Sequence, residues 1–359
     1  MLKRIHVNNF RCLVNFNMDL EAMDAFCGLN GSGKSSVFDA IRFVRDLAIG
    51  NCFLGSAGDE SKRTVSKLEF CNWLKSNIQE FEVEFEEENH KYLYKLHIQQ
   101  AADYEEPRII QEVAFYDGTP LFTRDKSRIQ LGKDKGFTLD WRQSALSVIL
   151  PYKQIETLKK ALENLIILRP NARLFENESR FESKYVNLDM SNIISWYRHH
   201  SQDQDWTDVL RQSLQTVWPE DFRSLKLSES GNSIKQLELR FSGGELNFSQ
   251  LSDGEKMLVA LYMLHAVMST TKGSLTVLID EPDNFVSIQE LQPWLLEMDE
   301  VVSDMHQLLI ISHNAEILES VSSQLHYFDR DNHSAPTRIK HLTVPEGLRI
   351  GEALARGWV

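Results

Sequence analysis

Apolar and polar residues alternate in three stretches of this chain. Phe81-Glu-Val-Glu-Phe85 and Tyr92-Leu-Tyr-Lys-Leu-His-Ile98 flank Glu-Glu-Asn-His, and a period of two on both sides of such a turn predicts a β-hairpin. Val113-Ala-Phe-Tyr116 and Leu121-Phe-Thr123, across Asp117-Gly118, predict a second hairpin. Leu237-Glu-Leu-Arg-Phe241 and Glu245-Leu-Asn-Phe248, across Gly243-Gly244, predict a third. Elsewhere the apolar runs are short and unbroken. Leu275–Ile279 and Gln307–Ile311 suit strands buried on both faces, and Asp24–Cys27 reads as a short strand. Helical length and spacing mark Ser35–Arg45 and Met257–Val267. From about Arg142 to Trp218 the pattern is mostly helical, with Ile155–Leu165 and Ile193–Trp218 as the better helices. The expected class is therefore α/β, a mixed sheet with an antiparallel β subdomain and a helical insertion.

Between the Asp24–Cys27 strand and the Ser35 helix lies Gly28-Leu-Asn30-Gly31-Ser32-Gly33-Lys34-Ser35-Ser36, which fits G-x-x-x-x-G-K-[ST] in a strand–loop–helix setting. Glycines let backbone N–H groups close around phosphate oxygens, and the helix N-terminus adds positive potential. Lys34 is placed for the β/γ-phosphates, and the Ser35 hydroxyl for Mg²⁺. The chain is expected to bind ATP and Mg²⁺ here, through Asn30, Gly31, Ser32, Gly33, Lys34, Ser35 and Ser36.

The Leu275–Ile279 run delivers Asp280 and Glu281 to the carboxyl end of a sheet, where open α/β sheets bind ligands. Asp280 would join Ser35 at the metal, and Glu281 would orient and polarise an attacking water. Gln307–Ile311 leads to His313, placed as a γ-phosphate sensor. A further anion site is expected where Leu251-Ser252-Asp253-Gly254-Glu255-Lys256 opens the Met257 helix. Its N–H groups and the Ser252 hydroxyl would face an anion, although Ser-Asp-Gly also suits a plain helix cap. Ser242-Gly243-Gly244-Glu245 has a similar look, but its flanks make it a hairpin turn.

These residues resemble the ABC-class P-loop ATPases of the RecF/SMC/OLD group, in the compact AAA form found in bacterial antiphage systems. The resemblance covers roughly residues 1–50 and 235–330, and includes Asn9-Phe10-Arg11 after the first strand and Asp280-Glu281-Pro282-Asp283-Asn284. It implies an ABC-type head with ATPase lobes at 1–140 and 221–359 around an insertion at 141–220. It implies that Ser252, Asp253 and Gly254 form the signature that contacts ATP held by a second copy, giving a homodimer or higher oligomer. It also implies a separate effector chain. Asp253 departs from transporter-type domains, which carry glycine there. No adenine-stacking aromatic motif is evident, and Gln143 and Gln154 are the candidates for a glutamine loop.

Composition adjusts this picture. A chain of 359 residues has room for two or three lobes. A net charge of −13 argues against broad, sequence-independent DNA binding, so nucleic acid is not indicated and a RecF-like DNA clamp is the alternative reading. A transporter ATPase ranks below both. Residues 80–90 read as a half-exposed strand despite their glutamates. Cys12, Cys27, Cys52 and Cys71 lack metal-ligand spacing and are expected reduced and buried. His199-His200 has no ligand partner at useful spacing and reads as a solvated helix face. No stretch suits a membrane span or signal peptide, so a cytoplasmic protein is expected. No nuclease motif appears, and some 45 residues after His313 are too few for an appended catalytic domain.

Overall fold

A computed structural model of the chain describes residues 1–55, 63–100, 106–132, 135–148, 152–231, 233–302, 305–321 and 324–340. The unbroken apolar runs form its middle layer. Parallel strands lie in the order Leu165–Leu168, Thr276–Asp280, Gln307–Ile311, Met23–Gly28 and Gln324–Asp329, with Arg338–Lys340 antiparallel at the edge. Successive side chains enter different cores. Phe26, Leu278, Leu309 and Ile311 join one cluster, while Ala25, Cys27, Val277, Ile279, Leu308 and Ile310 join the other. Both faces being covered, these strands show no alternation.

The alternating segments form the second layer. Ile78–Glu87 and His90–Gln99 pair as the first predicted hairpin, and Arg108–Tyr116 and Thr119–Asp125 as the second. With Leu2–Asn8, Phe16–Asp19, Arg128–Leu131 and Lys135–Thr138 they make an antiparallel sheet of eight strands among the described residues. Phe81, Val83, Phe85, Tyr94, Leu96 and Ile98 are buried against helices Lys34–Ala48 and Lys153–Glu163, while the glutamates between them stay half-exposed.

The third layer is helical. Helix Asp253–Thr270 is buried at every position from Met257 to Met268, as its all-round apolar sequence requires. Helices Ile193–His200, Gln204–Val217 and Ile288–Val301 pack around it, and the indole of Trp294 donates to the Leu261 carbonyl at 2.9 Å. The Gly243-Gly244 hairpin forms as predicted, between Lys235–Phe241 and Gly244–Asn247.

The 141–220 segment differs from its mostly helical reading. Its first long helix ends at Glu163, and Leu165–Leu168 is an edge strand of the central sheet. Asn164 makes the switch, donating to the Ser274 carbonyl and accepting from the Thr276 N–H. The Leu-Ile-Ile-Leu run fits either period, so sequence alone could not separate them. His200 also departs from a solvated face. It packs between Trp196 and Trp206, and burial pushes its pKa down to about 4. All four cysteines are free and buried. Among the described residues, no helix is long and apolar enough to cross a membrane.

A buried amide helps to join the sheets. Gln307 donates to the carbonyls of Leu2 and Glu21 at 2.8 and 2.7 Å, and accepts from the Leu2 N–H and the Thr276 hydroxyl at 3.1 and 3.0 Å. Gln307→Leu is isosteric enough to pack but strands these buried partners. It should lower stability by about 2–4 kcal/mol. The urea midpoint should fall with the slope unchanged; a change under about 0.5 kcal/mol would show that the partners find other bonds.

Candidate functional site

A cavity of about 1000 Å³ opens at the carboxyl ends of the central strands, bounded by Asn30, Gly31, Gly33, Lys34, Ser35 and Ser36 on one side and Glu281 and His313 on another. Two glycines make the loop possible. At Gly28 (φ +136°) an added Cβ would lie 2.2 Å from the Phe328 carbonyl oxygen. At Gly33 (φ +108°) it would lie 2.3 Å from the Thr337 hydroxyl. Helix Lys34–Ala48 starts from Gly33 without a side-chain cap, so its first N–H groups are left for a ligand.

The Lys34 ammonium is nearly buried and donates to the loop carbonyls of Gly28 and Leu29 at 2.8 and 3.1 Å. Burial lowers its pKa, while Asp280, Cys27 and Glu281 oppose that shift. Asp280 is also buried, at 5% exposure, and burial raises its pKa against a Ser35 hydrogen bond and the Arg169 guanidinium. Ser35 and Asp280, one residue from each predicted metal-ligand segment, thus meet directly. Their hydroxyl and carboxylate oxygens are the hard donors that suit Mg²⁺.

Glu281 turns out of the strand with φ +56°, uncommon for a non-glycine residue, while its N–H still donates to the Ile311 carbonyl. One carboxylate oxygen lies 3.5 Å from His313 Nε2, and the other accepts from the Asn284 amide at 2.8 Å. Both Glu281 and His313 side chains remain about two-fifths exposed and reach the cavity.

Ser252, Asp253 and Gly254 are not among the residues bounding this cavity. Ser252 caps helix Asp253–Thr270 in a reciprocal box with Glu255: its hydroxyl accepts from the Glu255 N–H at 3.2 Å, and its own N–H donates to the Glu255 carboxylate at 2.8 Å. The segment nevertheless packs against Phe285, in the turn that follows the acidic pair. A Cβ on Gly254 would lie 2.8 Å from the Phe285 carbonyl oxygen, so only glycine allows that approach. Arg173 pairs with Asp253 at 3.4 Å and lies over the Phe285 ring. Ser32 is buried below the loop, where its carbonyl accepts from Thr337.

Sequence reasoning missed three contributors. Gln143 and Gln154 do not bound the cavity; Gln154 sits in helix Lys153–Glu163. Beside the acidic strand runs Leu165–Leu168 instead, leading to Arg169, whose guanidinium binds Asp280 at 2.9 Å and reaches Asp39 at 3.6 Å. Trp73 and Arg330 also bound the cavity. No motif marks them, because they arrive from segments far apart in sequence.

A parallel α/β core with a phosphate loop, a buried aspartate beside its serine and an antiparallel subdomain defines an ABC-type P-loop ATPase head, of the OLD/SMC-like kind. Residues 25–319 match the family described as "AAA domain, putative AbiEii toxin, Type IV TA system", and the chain belongs to that family. The fold resembles an Smc head bound to the C-winged helix domain of ScpA (TM-score 0.63, 14% identity, 96% of this chain and 98% of that one). It also resembles the SMC head domain of Thermotoga maritima (TM-score 0.52, 17% identity, 96% and 99%). A Pyrococcus furiosus Smc head with an extended coiled coil, bound to the C-terminal domain of ScpA, scores 0.56 at 14% identity over 99% and 98%. A 51-residue stretch is 43% identical to an OLD nuclease of Thermus scotoductus. That stretch is 14% of this chain and 9% of the relative's length.

Because burial raises the Asp280 pKa in the folded state, its ionised form opposes folding above the ordinary carboxylate range. Asp280→Asn should therefore raise the melting temperature of the nucleotide-free protein at pH 7, by roughly 1–4 °C. The gain should shrink as pH falls and vanish below about pH 4, where the unfolded carboxyl is also protonated. Calorimetry across pH checks this; a lower melting temperature at pH 7 would mean that the Arg169 pair outweighs burial.

Proposed function

We propose that this protein binds ATP with Mg²⁺, hydrolyses it, and closes into ATP-sandwich dimers that control a separate effector protein, in a bacterial antiphage setting. The observation that carries the reading is a division of parts. One cavity gathers the phosphate loop, Glu281 and His313, whereas the Ser252–Gly254 segment lies outside it and half-open to solvent. A second copy facing the first would supply what each cavity lacks.

In this reading the loop N–H groups and Lys34 hold the β/γ-phosphates, leaving the loop carbonyls for phosphate oxygens. Ser35 and Asp280 hold Mg²⁺, which supplies charge to the phosphates when bound. Glu281, steadied by Asn284, polarises water, and His313 senses the γ-phosphate. Ser252 acts on the partner copy's nucleotide.

The effector part rests on coupling as well as on resemblance. Insertion helix Gln204–Val217 reaches the signature helix through Ser213, whose hydroxyl donates to Glu297 at 2.7 Å and lies 3.3 Å from His265 Nδ1. A shift of the signature helix would thereby move the insertion, the surface we assign to the effector because ATP chemistry explains it least.

Glu281→Gln keeps size and removes charge, so nucleotide binding should persist while turnover falls about 100-fold or more. The mutant should accumulate as an ATP-bound dimer and, used as bait in its native host, recover a protein partner. Hydrolysis at the parental rate would assign the base elsewhere. Tight duplex DNA binding at physiological salt, with no protein recovered, would replace the effector reading with a DNA clamp.

Mixing tests action across the dimer. Ser252→Arg and Lys34→Ala chains should each be inactive alone. Together they should regain part of the activity, because a mixed dimer keeps one intact composite site. Absence of recovery, with both chains folded and associating, would argue against Ser252 acting in trans.

A further inference from the structure

Part of the phosphate-loop cavity is bounded by an aromatic and cationic pair, Trp73 and Arg330. Trp73 is half-buried, and the Arg330 guanidinium lies over its ring at 5.3 Å from the centroid. Arg330 is held as a fixed plane: it donates to Ala335 O at 2.7 Å, to His333 O, and to Gly31 O of the phosphate loop at 3.3 Å. The Trp73 loop is fixed from the other side. Buried Asn9 (φ +63°) donates to the carbonyls of Ser76 and Ile78 at 2.9 and 2.8 Å and accepts from the Cys71 N–H at 3.2 Å. The Glu69 carbonyl accepts from the Arg11 N–H. Asn9 and Arg11 of the opening motif thus serve to hold Trp73 beside the phosphate cradle.

A cavity of about 1000 Å³ lies at the upper end of the usual range for ligand pockets, so it leaves room beyond the phosphate loop. Its lining is not uniform in chemistry. The loop and Lys34 offer N–H donors and an ammonium; Trp73 and Arg330 offer a π-face and a guanidinium plane, the two surfaces on which planar heterocycles stack. We infer that Trp73, with Arg330 behind or beside it, forms the platform for the nucleobase of the nucleotide whose phosphates lie on the loop. This rests on the nucleotide-binding reading above and adds to it the residues that hold the base.

The test compares ATP with inorganic tripolyphosphate, which has the phosphates but no base, by calorimetry with Mg²⁺ present. Trp73→Ala should weaken ATP about tenfold or more while leaving tripolyphosphate within about twofold. Trp73→Phe, which can still stack, should keep ATP affinity close to that of the native chain. Tripolyphosphate binding by the alanine variant itself reports an intact phosphate loop. ATP should quench tryptophan emission of the native protein more than that of Trp73→Phe, and tripolyphosphate should not. Unchanged ATP affinity in Trp73→Ala would overturn the platform, as would equal weakening of both ligands or a phenylalanine variant as weak as the alanine one. Lys34→Ala should lose both ligands; if it keeps both, the phosphate-cradle assignment fails, independently of Trp73.

Discussion

Two opposite charges withdrawn from water, Lys34 and Asp280, set the terms for the rest of the site. Each charged form is disfavoured by burial, and the surrounding structure offsets that cost with specific partners. Lys34 is held by loop carbonyls, and Asp280 by Ser35 and Arg169. The strand Gln307–Ile311 lies between the strands that deliver them, so their separation is fixed by sheet geometry. An anion with a divalent cation matches this arrangement better than any neutral ligand, because it supplies both missing signs at once.

Such a site needs a rigid frame, and the frame is built by buried amides. Gln307 satisfies backbone groups of the first strand and its own sheet together. Asn9 does the same for the Trp73 loop. A buried amide with all its bonds made specifies one geometry, because any slip leaves polar groups without partners. Apolar packing alone would tolerate small shifts between the layers.

The Ser252–Gly254 segment is packed against the stretch that follows the acidic pair and does not bound the cavity. Gly254 meets the Phe285 carbonyl, and Arg173 spans Asp253 and the Phe285 ring. Arg169, four residues earlier, binds Asp280. A single short stretch thus touches the buried aspartate at one end and Asp253 at the other. Burial pushes the His265 pKa down to about 4, so at ordinary pH its contact with Ser213 of the insertion helix is a neutral hydrogen bond.

The sequence by itself determined the elements whose chemistry is local. Gly28 to Ser36 could be read directly, because a phosphate loop needs glycine, lysine and serine at fixed spacing. Two antiparallel hairpins were legible from their period of two and a third from its Asp117-Gly118 turn, and the Gly243-Gly244 turn was recognised as a hairpin by its flanking strands. Three of the five parallel strands, at Met23–Gly28, Thr276–Asp280 and Gln307–Ile311, were visible as short apolar runs, whereas Gln324–Asp329 was not read. Tertiary structure alone decided the rest. Leu165–Leu168 is a strand because the acidic strand offers it an open edge, a condition no local pattern records. Trp73 and Arg330 reach the cavity, and Arg169 reaches Asp280, from three separate segments, and their side chains gain meaning only from what lies opposite. Local spacing encodes backbone conformation, whereas convergence of distant residues depends on how the layers pack.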